Sequence, residues 1–249
     1  MNLDQTGPLH EGRSSYLDIG LASLIVMLWL VTLLGGFSIP LNGVPLVATV
    51  LGIFIRTFLH TGLFVVVHES IHRNISRHCF LNNFFGYLAS FLYALLAYRV
   101  LAKNHRLHHR FPGTQQDPDF AFPNKKDYFS WYFRFMKSYQ ADGQAWVSIM
   151  GMAIAFCILI AFHVSALNLL LFWIIPMIAS SFQLFTFGIF LPHRHSDGWD
   201  LDPHQASTTH LPVLWSFIAC YHFGYHREHH QYPYLPWYRL PQAYFESKA

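Results

Sequence analysis

The sequence is poor in charged residues. Asp, Glu, Lys and Arg make up only 12% of its 249 residues, whereas 53% are hydrophobic. Soluble domains carry charge on about a quarter of their residues, so this composition excludes an ordinary water-soluble domain. The net charge is only +3, and the Lys and Arg residues form no basic run suited to nucleic acid. We therefore expect a lipid bilayer, and no nucleic acid, among the partners.

Cysteine is also scarce. The chain contains three cysteines, Cys79, Cys157 and Cys220, and none of them belongs to a CxxC pair. This number and spacing exclude a disulfide framework, a zinc ribbon and a four-cysteine iron–sulfur cluster. The first residues lack a basic segment followed by a short apolar core, so we predict no cleaved signal peptide.

Long apolar stretches are present instead. A helix needs about 20 apolar residues to cross the hydrocarbon core of a bilayer. Four stretches reach that length, at residues 17–36, 44–67, 146–164 and 167–191. Of the sixteen Lys and Arg residues only Arg56 lies inside one of them, and the sequence suggests no partner for it. The positive-inside rule then places both termini and the middle segment, residues 68–145, in the cytoplasm.

Two shorter stretches predict helices that lie in the membrane interface. Residues 80–98 are apolar but short and contain asparagines and tyrosines, so we expect them to dip into the bilayer without crossing it. Residues 127–141 interleave aromatic side chains with Arg134 and Lys137, which is typical of an interfacial helix.

Histidine is abundant, with seventeen residues against sixteen Lys and Arg. Eight histidines form the clusters HESIH, HRLHH and HREHH, which contribute His68, His72, His105, His108, His109, His226, His229 and His230. Spacings of three and four residues place side chains on one face of a helix, and the predicted topology brings all eight to the cytoplasmic membrane boundary. Eight imidazoles exceed what one tetrahedral zinc uses. They suit two metals, and among metals that prefer imidazole iron has the redox chemistry to use dioxygen.

The predicted fold class is therefore an all-α integral membrane protein. It has four transmembrane helices, interfacial helices and a cytoplasmic, histidine-rich cap that binds two metals. We expect residues 1–249 to form a single domain.

The three clusters and their spacing resemble the histidine boxes of the membrane fatty acid desaturase/hydroxylase superfamily, whose members are non-haem diiron enzymes. That resemblance implies two iron ions, dioxygen as co-substrate and a ninth histidine ligand shortly after the fourth span. His193 is favoured because it follows the span sooner than His195. His222 is the main rival, and could instead orient a ligand or a bound water.

The segments PGTQQDPDF (112–120), LPHRH (191–195) and FGYHREHHQYPYLPWYRLP (223–241) narrow the resemblance to bacterial β-carotene ketolases. It covers residues 60–241 and implies β-carotene as the substrate. Two hydroxylations at C4 of a β-ionone ring and loss of water would give echinenone and then canthaxanthin. The electrons would come from a partner, expected to be a ferredoxin, because the chain carries no flavin or iron–sulfur motif.

Three alternatives stay open on the sequence alone. A carotenoid 3-hydroxylase or a lipid desaturase of the same superfamily would differ in its product. A membrane metal transporter belongs to another class and would place its ligands near the middle of the spans, whereas the boxes lie at the boundary.

Several other residues are candidates for supporting roles. Asp117 and Asp119 could hold ligand imidazoles through their second nitrogen, or could simply form a turn around Pro118. Glu69 and Glu228 could also hold ligand imidazoles, or could pair with Arg73 and Arg227. The aromatic candidates for a substrate tunnel are Phe54, Phe58, Phe91, Tyr93, Phe182 and Phe187.

Overall fold

The structure is a computed structural model and describes residues 15–120, 127–141, 143–194 and 204–248. All the regular elements in these ranges are helices, which confirms the predicted all-α class. In chain order they are α1 Ser15–Ser38, α2 Leu46–Ile71, α3 Cys79–Ala94, α4 Tyr98–Arg110, α5 Tyr128–Tyr139, α6 Gln144–Ala161, α7 Ala166–His193, α8 Val213–Cys220, α9 His226–Gln231, a short 3-10 turn Trp237–Arg239, and α10 Leu240–Glu246.

Four of these helices are long and apolar enough to cross a membrane. They are α1, α2, α6 and α7, which contribute stretches of 23, 26, 18 and 28 residues. Their bounds lie within about four residues of the predicted spans, because a break in hydropathy marks each end. Many of their large apolar side chains are exposed on the outside of the bundle, as expected of surfaces that face lipid.

Helix α7 is irregular at two places, and each irregularity precedes a proline. Residues Leu170–Ile174 and Phe185–Phe190 have π-helical geometry, and Pro176 and Pro192 follow two residues after each stretch. Proline has no N–H group and its ring displaces the carbonyl of the preceding turn, so widening of the helix before it accommodates the missing bond. The second stretch brings Gly188 and Ile189 into the wall of the pocket described below.

Arg56 in the middle of α2 has the partners that the sequence did not suggest. Its guanidinium donates hydrogen bonds to the carbonyls of Trp29 (2.6 Å) and Phe172 (2.9 Å) and to the Thr32 hydroxyl (2.9 Å). It also lies 5.1 Å from the centre of the Trp29 ring, a cation–π distance. Because α1 and α7 supply these groups, the buried cation joins three of the four spans at one level of the bundle.

The stretch predicted as one interfacial helix over 80–98 is helix α3, which ends earlier, at Ala94. A second helix, α4, begins at Tyr98 after a bend of 103°. Leu95 has a left-handed backbone with φ 56°. The Gln144 side chain of α6 fixes this break, because it donates to the Leu95 carbonyl (2.9 Å) and accepts from the Ala97 N–H (3.1 Å).

The bend brings the two ends of the α3–α4 segment close together. His72 precedes α3 and His105 lies in α4, yet their Nε2 atoms are 2.7 Å apart. That this segment dips into the bilayer without crossing it stays a prediction. Helix α5 also forms where it was predicted, with Phe129 and Phe133 exposed and Trp131 buried.

A compact set of hydrogen bonds holds α3 and α4 against the end of α2. The Ser70 hydroxyl donates to the Asn82 carbonyl (2.8 Å) and lies 2.8 Å from the Tyr98 hydroxyl, while the Asn82 amide donates to the Ser70 carbonyl (2.8 Å). Gly86 faces this set, and a Cβ atom added there would overlap the Ser70 hydroxyl and the Tyr98 ring.

We expect Gly86→Ala to lower the thermal stability of the solubilised protein, because the Ser70–Tyr98 pair would have to move. Overpacking of this kind costs about 1–3 kcal/mol. Gly20→Ala in α1 is the matched control, since a Cβ atom there meets nothing within 4 Å. Melting temperatures of both variants in detergent check the expectation, and an unchanged value for Gly86→Ala would contradict it.

Candidate metal centre

The nine histidines that the sequence singled out lie together in two adjacent groups. They come from the end of α2, from α4, from the last residue of α7 and from α9. His68, His72, His105 and His229 form one set whose ring nitrogens lie within 4.8 Å of one another, and His108, His193, His226 and His230 form the other. His109 stacks on His230 at 4.3 Å between ring centres and thus lies where the two groups meet.

The first group is closely spaced. The Nε2 atoms of His68 and His229 are 3.1 Å apart, and those of His72 and His105 are 2.7 Å apart. The Nε2 atom of His109 lies 3.1 Å from that of His105 and 2.9 Å from that of His229. Five Nε2 atoms from three separate chain segments thus converge on one small volume.

The second group is also closely spaced. The Nε2 atom of His230 lies 2.9 Å from that of His108 and 3.1 Å from that of His226. The His193 ring lies 4.7 Å from both the His108 and the His226 rings. All four side chains are at most 6% exposed, so water is largely kept from their nitrogens.

These distances fit bound metal ions. Nitrogen ligands bind first-row metals at about 2.0–2.1 Å, so two ligands at a right angle are about 3 Å apart. The outward nitrogens support the same conclusion, because the Nδ1–H groups of His108 and His193 can donate to Asp117 (3.0 Å) and to the Gln205 carbonyl (2.8 Å). This tautomer leaves the Nε2 lone pair free to bind a metal.

Each HxxHH box divides its histidines between the two groups. In α4, His105 and His109 face the first group and His108 faces the second. In α9 the arrangement is reversed, because His229 faces the first group whereas His226 and His230 face the second. We expected three ligands from one side of each helix. The structure shows instead that residues i and i+4 share one site while residue i+3 reaches the other.

Asp117 and Glu69 contact imidazoles of the two groups, which the sequence suggested as a possibility. The Asp117 carboxylate accepts from His108 and also from the N–H groups of Gly113 (2.9 Å) and Asp119 (2.8 Å). Glu69 lies 3.2 Å from His68 Nδ1 and accepts from the Asn74 amide (3.0 Å).

The other two acids contact different groups. Asp119 is 3.9 Å from His108 Nδ1, and its carboxyl accepts a hydrogen bond from the Tyr139 hydroxyl (2.7 Å). Glu228 accepts a hydrogen bond from the Thr208 hydroxyl (2.6 Å).

The surroundings keep most of the imidazoles neutral. Burial and the neighbouring imidazoles hold the pKa values well below the usual value in His105, His109, His226, His229 and His230. Burial also acts on His108, but the Asp117 carboxylate outweighs it and raises the pKa of that ring. Burial raises the pKa of Asp119 to about 7. Neutral imidazoles are the form that binds metal.

Of the three candidates for the ninth position, His193 lies in the second group. His195 lies outside the described residues. His222 and His226 do not share a helix. The backbone of His222 is left-handed with φ 64°, and α9 begins only at His226. Its ring packs near Phe217 and Trp237, outside both four-histidine groups.

A mainly apolar pocket adjoins the histidines. Four histidines line it, and its apolar lining includes Phe64, Leu96, Leu101, Leu184, Gly188, Ile189 and Phe223. A lining of mostly apolar side chains with a few polar groups suits an apolar organic molecule.

Of the six aromatic tunnel candidates only Tyr93 lines this pocket. Phe54 and Phe91 are 69% and 60% exposed on the outer surface. Phe58 and Phe182 stack on other rings, and Phe187 packs against the main core. Hydropathy cannot separate a lipid-facing aromatic from a pocket-lining one, so the sequence could not tell which of the six line this pocket.

Comparison with known proteins places the chain in a family. The fatty acid desaturase family profile matches residues 43–148 and 127–249. This chain belongs to the fatty acid desaturase family. No solved structure matches it significantly.

Several curated relatives carry carotenoid ketolase names. A β-carotene ketolase of Paracoccus sp. (strain PC1) is 33% identical over 91% of both chains. A β-carotene 4-ketolase of Protosiphon botryoides is 38% identical over 77% of this chain and 50% of its own length. A zeaxanthin 4-ketolase of Chlamydomonas reinhardtii is 38% identical over 79% of this chain and 44% of its own. The chain thus spans about half the length of the last two. These matches confirm the resemblance read from the three sequence segments.

We expect Asp117→Asn to weaken metal retention by about 10–100-fold, the usual effect of removing a partner that orients a ligand imidazole. The amide keeps the shape of the side chain but is a poorer acceptor for His108. Asp127→Asn is the matched control, because Asp127 caps α5 through the Ser130 N–H (2.8 Å) and asparagine caps equally well. Metal content after exposure to graded chelator checks this expectation. Equal retention in both variants would show that Asp117 does not orient a ligand.

Proposed function

We propose that this chain is a β-carotene 4-ketolase. It would convert the C4 methylene of a β-ionone ring to a ketone, which gives echinenone and, after reaction at both rings, canthaxanthin. The observation that carries the proposal is the convergence of nine imidazoles beside an apolar pocket that four of them line, in a chain whose relatives include curated ketolases. Residues 1–249 would act as one domain.

We propose that the nine histidines hold two iron ions. Imidazole suits several first-row metals, and an iron pair supplies the reductive cleavage of dioxygen that oxidation of an unactivated C–H bond requires. The residues of this chain then have distinct tasks. The histidines hold the metals, while Asp117 and Glu69 orient His108 and His68. The pocket would hold a ring beside His226, one of the four histidines that line it.

The balanced reaction consists of two hydroxylations and a dehydration. Each hydroxylation consumes one dioxygen, two electrons and two protons, and it releases one water and leaves one hydroxyl on C4. The second hydroxylation gives a geminal diol, which loses water to become the ketone. The four electrons come from outside the chain, and a ferredoxin is the proposed donor.

We also propose that the metal centre and both chain termini face the cytoplasm. Supporting this orientation, the short turns between consecutive spans, residues 37–43 and 165–166, carry no Lys or Arg, whereas residues 68–145 carry many. A metal transporter is not favoured, because transporter sites lie near the middle of the spans. Here His68 lies three residues from the end of α2, and His193 is the last residue of α7.

Pigment analysis tests the proposed reaction. We expect bacteria that make β-carotene to accumulate echinenone and canthaxanthin when they express this chain, and His226→Ala to lower that yield at least about 100-fold because a metal ligand is lost. His78→Ala is the control, since His78 is exposed and lies outside both groups. Chromatography and mass spectrometry separate ketones from 3-hydroxylated or desaturated products. If cells that contain the metal-loaded protein kept their β-carotene unchanged, the proposed ketolase activity would be refuted.

The pocket can be tested separately from the metals. We expect Gly188→Leu to lower ketone yield at least about tenfold with unchanged metal content, because the new side chain would fill the space in front of Phe223. Gly35→Leu in α1 is the matched control, since a Cβ atom there meets nothing within 4 Å. An unchanged ketone yield from Gly188→Leu would show that the substrate does not occupy this pocket.

A further inference from the structure

The outer face of α4 carries only positive charge. Every exposed residue of this helix is a cation, namely Arg99, Lys103, Arg106 and Arg110. Their spacing of four, three and four residues aligns them in one row along the helix. Helix α4 contains no acidic residue, and within the described ranges none of the four cations forms a salt bridge. We call this set the α4 cation row.

The opposite face of the same helix carries His105 and His108, which are buried. An α-helix with its side chains is about 10–12 Å across, so the cation row is separated from the histidines by a single helix. His109 is only half-buried and precedes Arg110 directly. The row thus ends directly beside a histidine of the centre.

A fifth cation extends the row. Burial raises the pKa of Tyr98, whereas the charges of Arg106 and Arg73 both lower it. Arg73 follows box one and is exposed, so it lies within electrostatic reach of the same hydroxyl as Arg106. The positive surface therefore spans both α4 and the end of α2.

Lipid is a poor occupant for this face. A helix that binds a membrane surface buries an apolar face in it while its cations contact headgroups. The apolar residues Leu101 and Ala102 of α4 are only 3% exposed because they pack inside the protein. Helix α3 shows the contrast, since its outer row is aromatic, with Phe80, Phe84, Tyr87 and Phe91 between 44% and 85% exposed.

We propose that the α4 cation row is the docking surface for an acidic one-electron carrier protein that reduces the metal centre. The inference rests on the proposed function, which requires two external electrons for each oxygen inserted. A carrier that gives up one electron at a time is oxidised once at each visit, so it docks twice per hydroxylation. Rows of one charge speed the encounter with an oppositely charged protein and orient it.

The test uses the full-length, metal-loaded protein in lipid nanodiscs with β-carotene and two reductants. One is an acidic [2Fe–2S] ferredoxin kept reduced by NADPH and its reductase, and the other is photoreduced deazariboflavin, a small mediator that needs no docking surface. The variant is Lys103→Glu with Arg106→Glu. Its control is Arg134→Glu with Lys137→Glu in α5, which changes two exposed cations at the same spacing.

We expect the α4 variant to need at least about tenfold more ferredoxin for half-maximal rate at low salt. Its rate with the small mediator should stay within about twofold of the parent, which also shows that the variant is folded and metal-loaded. The parent's ferredoxin-driven rate should fall steeply with salt, whereas that of the α4 variant should not. The α5 control should behave as the parent does. The milder Lys103→Gln with Arg106→Gln should shift the ferredoxin requirement about threefold.

Three results would overturn the docking surface. One is an unchanged ferredoxin requirement in the α4 variant, and another is an equal shift in the α5 control. The third is a loss of rate with both reductants that tracks the fraction of anionic lipid in the nanodisc, because this would assign the row to headgroups. Failure of the proposed function is distinct, since the parent would then form no ketone with either reductant. Direct ferredoxin binding to nanodiscs of parent and variant would then decide the docking question.

Discussion

The convergence of imidazole nitrogens is the constraint on which the rest of the structure depends. Nitrogen lone pairs that meet at about 3 Å in a buried site repel one another unless a proton or a cation lies between them. Proton sharing cannot satisfy the whole set, because a neutral imidazole has a single N–H group, and those of His108 and His193 are directed outward to Asp117 and Gln205. Cations held by the two groups would relieve the repulsion, and the surrounding helices position the rings for such binding.

Several features of the fold are explained by this constraint. The chain must bring the end of α2, the middle of α4, the end of α7 and the whole of α9 to one place. The left-handed residue Leu95 and the side chain of Gln144 turn α4 back over α2. The Ser70, Asn82 and Tyr98 hydrogen bonds then fix α3 and α4 against the first histidine box. Polar residues in this apolar chain are concentrated where backbone direction changes or where a ligand needs orientation.

The sequence predicted the features that depend on composition and short-range spacing. The four spans follow from hydropathy, and the nine histidines follow from the boxes and the family resemblance. The sequence could not predict features that depend on long-range contacts. The break at Leu95 depends on Gln144 of a distant helix, and the partners of Arg56 are backbone carbonyls of α1 and α7. The division of each HxxHH box between two groups depends on how α4 and α9 face each other, which spacing within one helix cannot reveal.

The distribution of the ligands along the chain has a consequence for biogenesis. Each four-histidine group draws members from residues before 110 and from α9, after residue 225. A nascent polypeptide that has been synthesised only as far as α8 therefore has neither group complete, even when its membrane segments have inserted. Both groups are therefore completed only by a late part of the chain. A product truncated before α9 would lack His229 of the first group and His226 and His230 of the second.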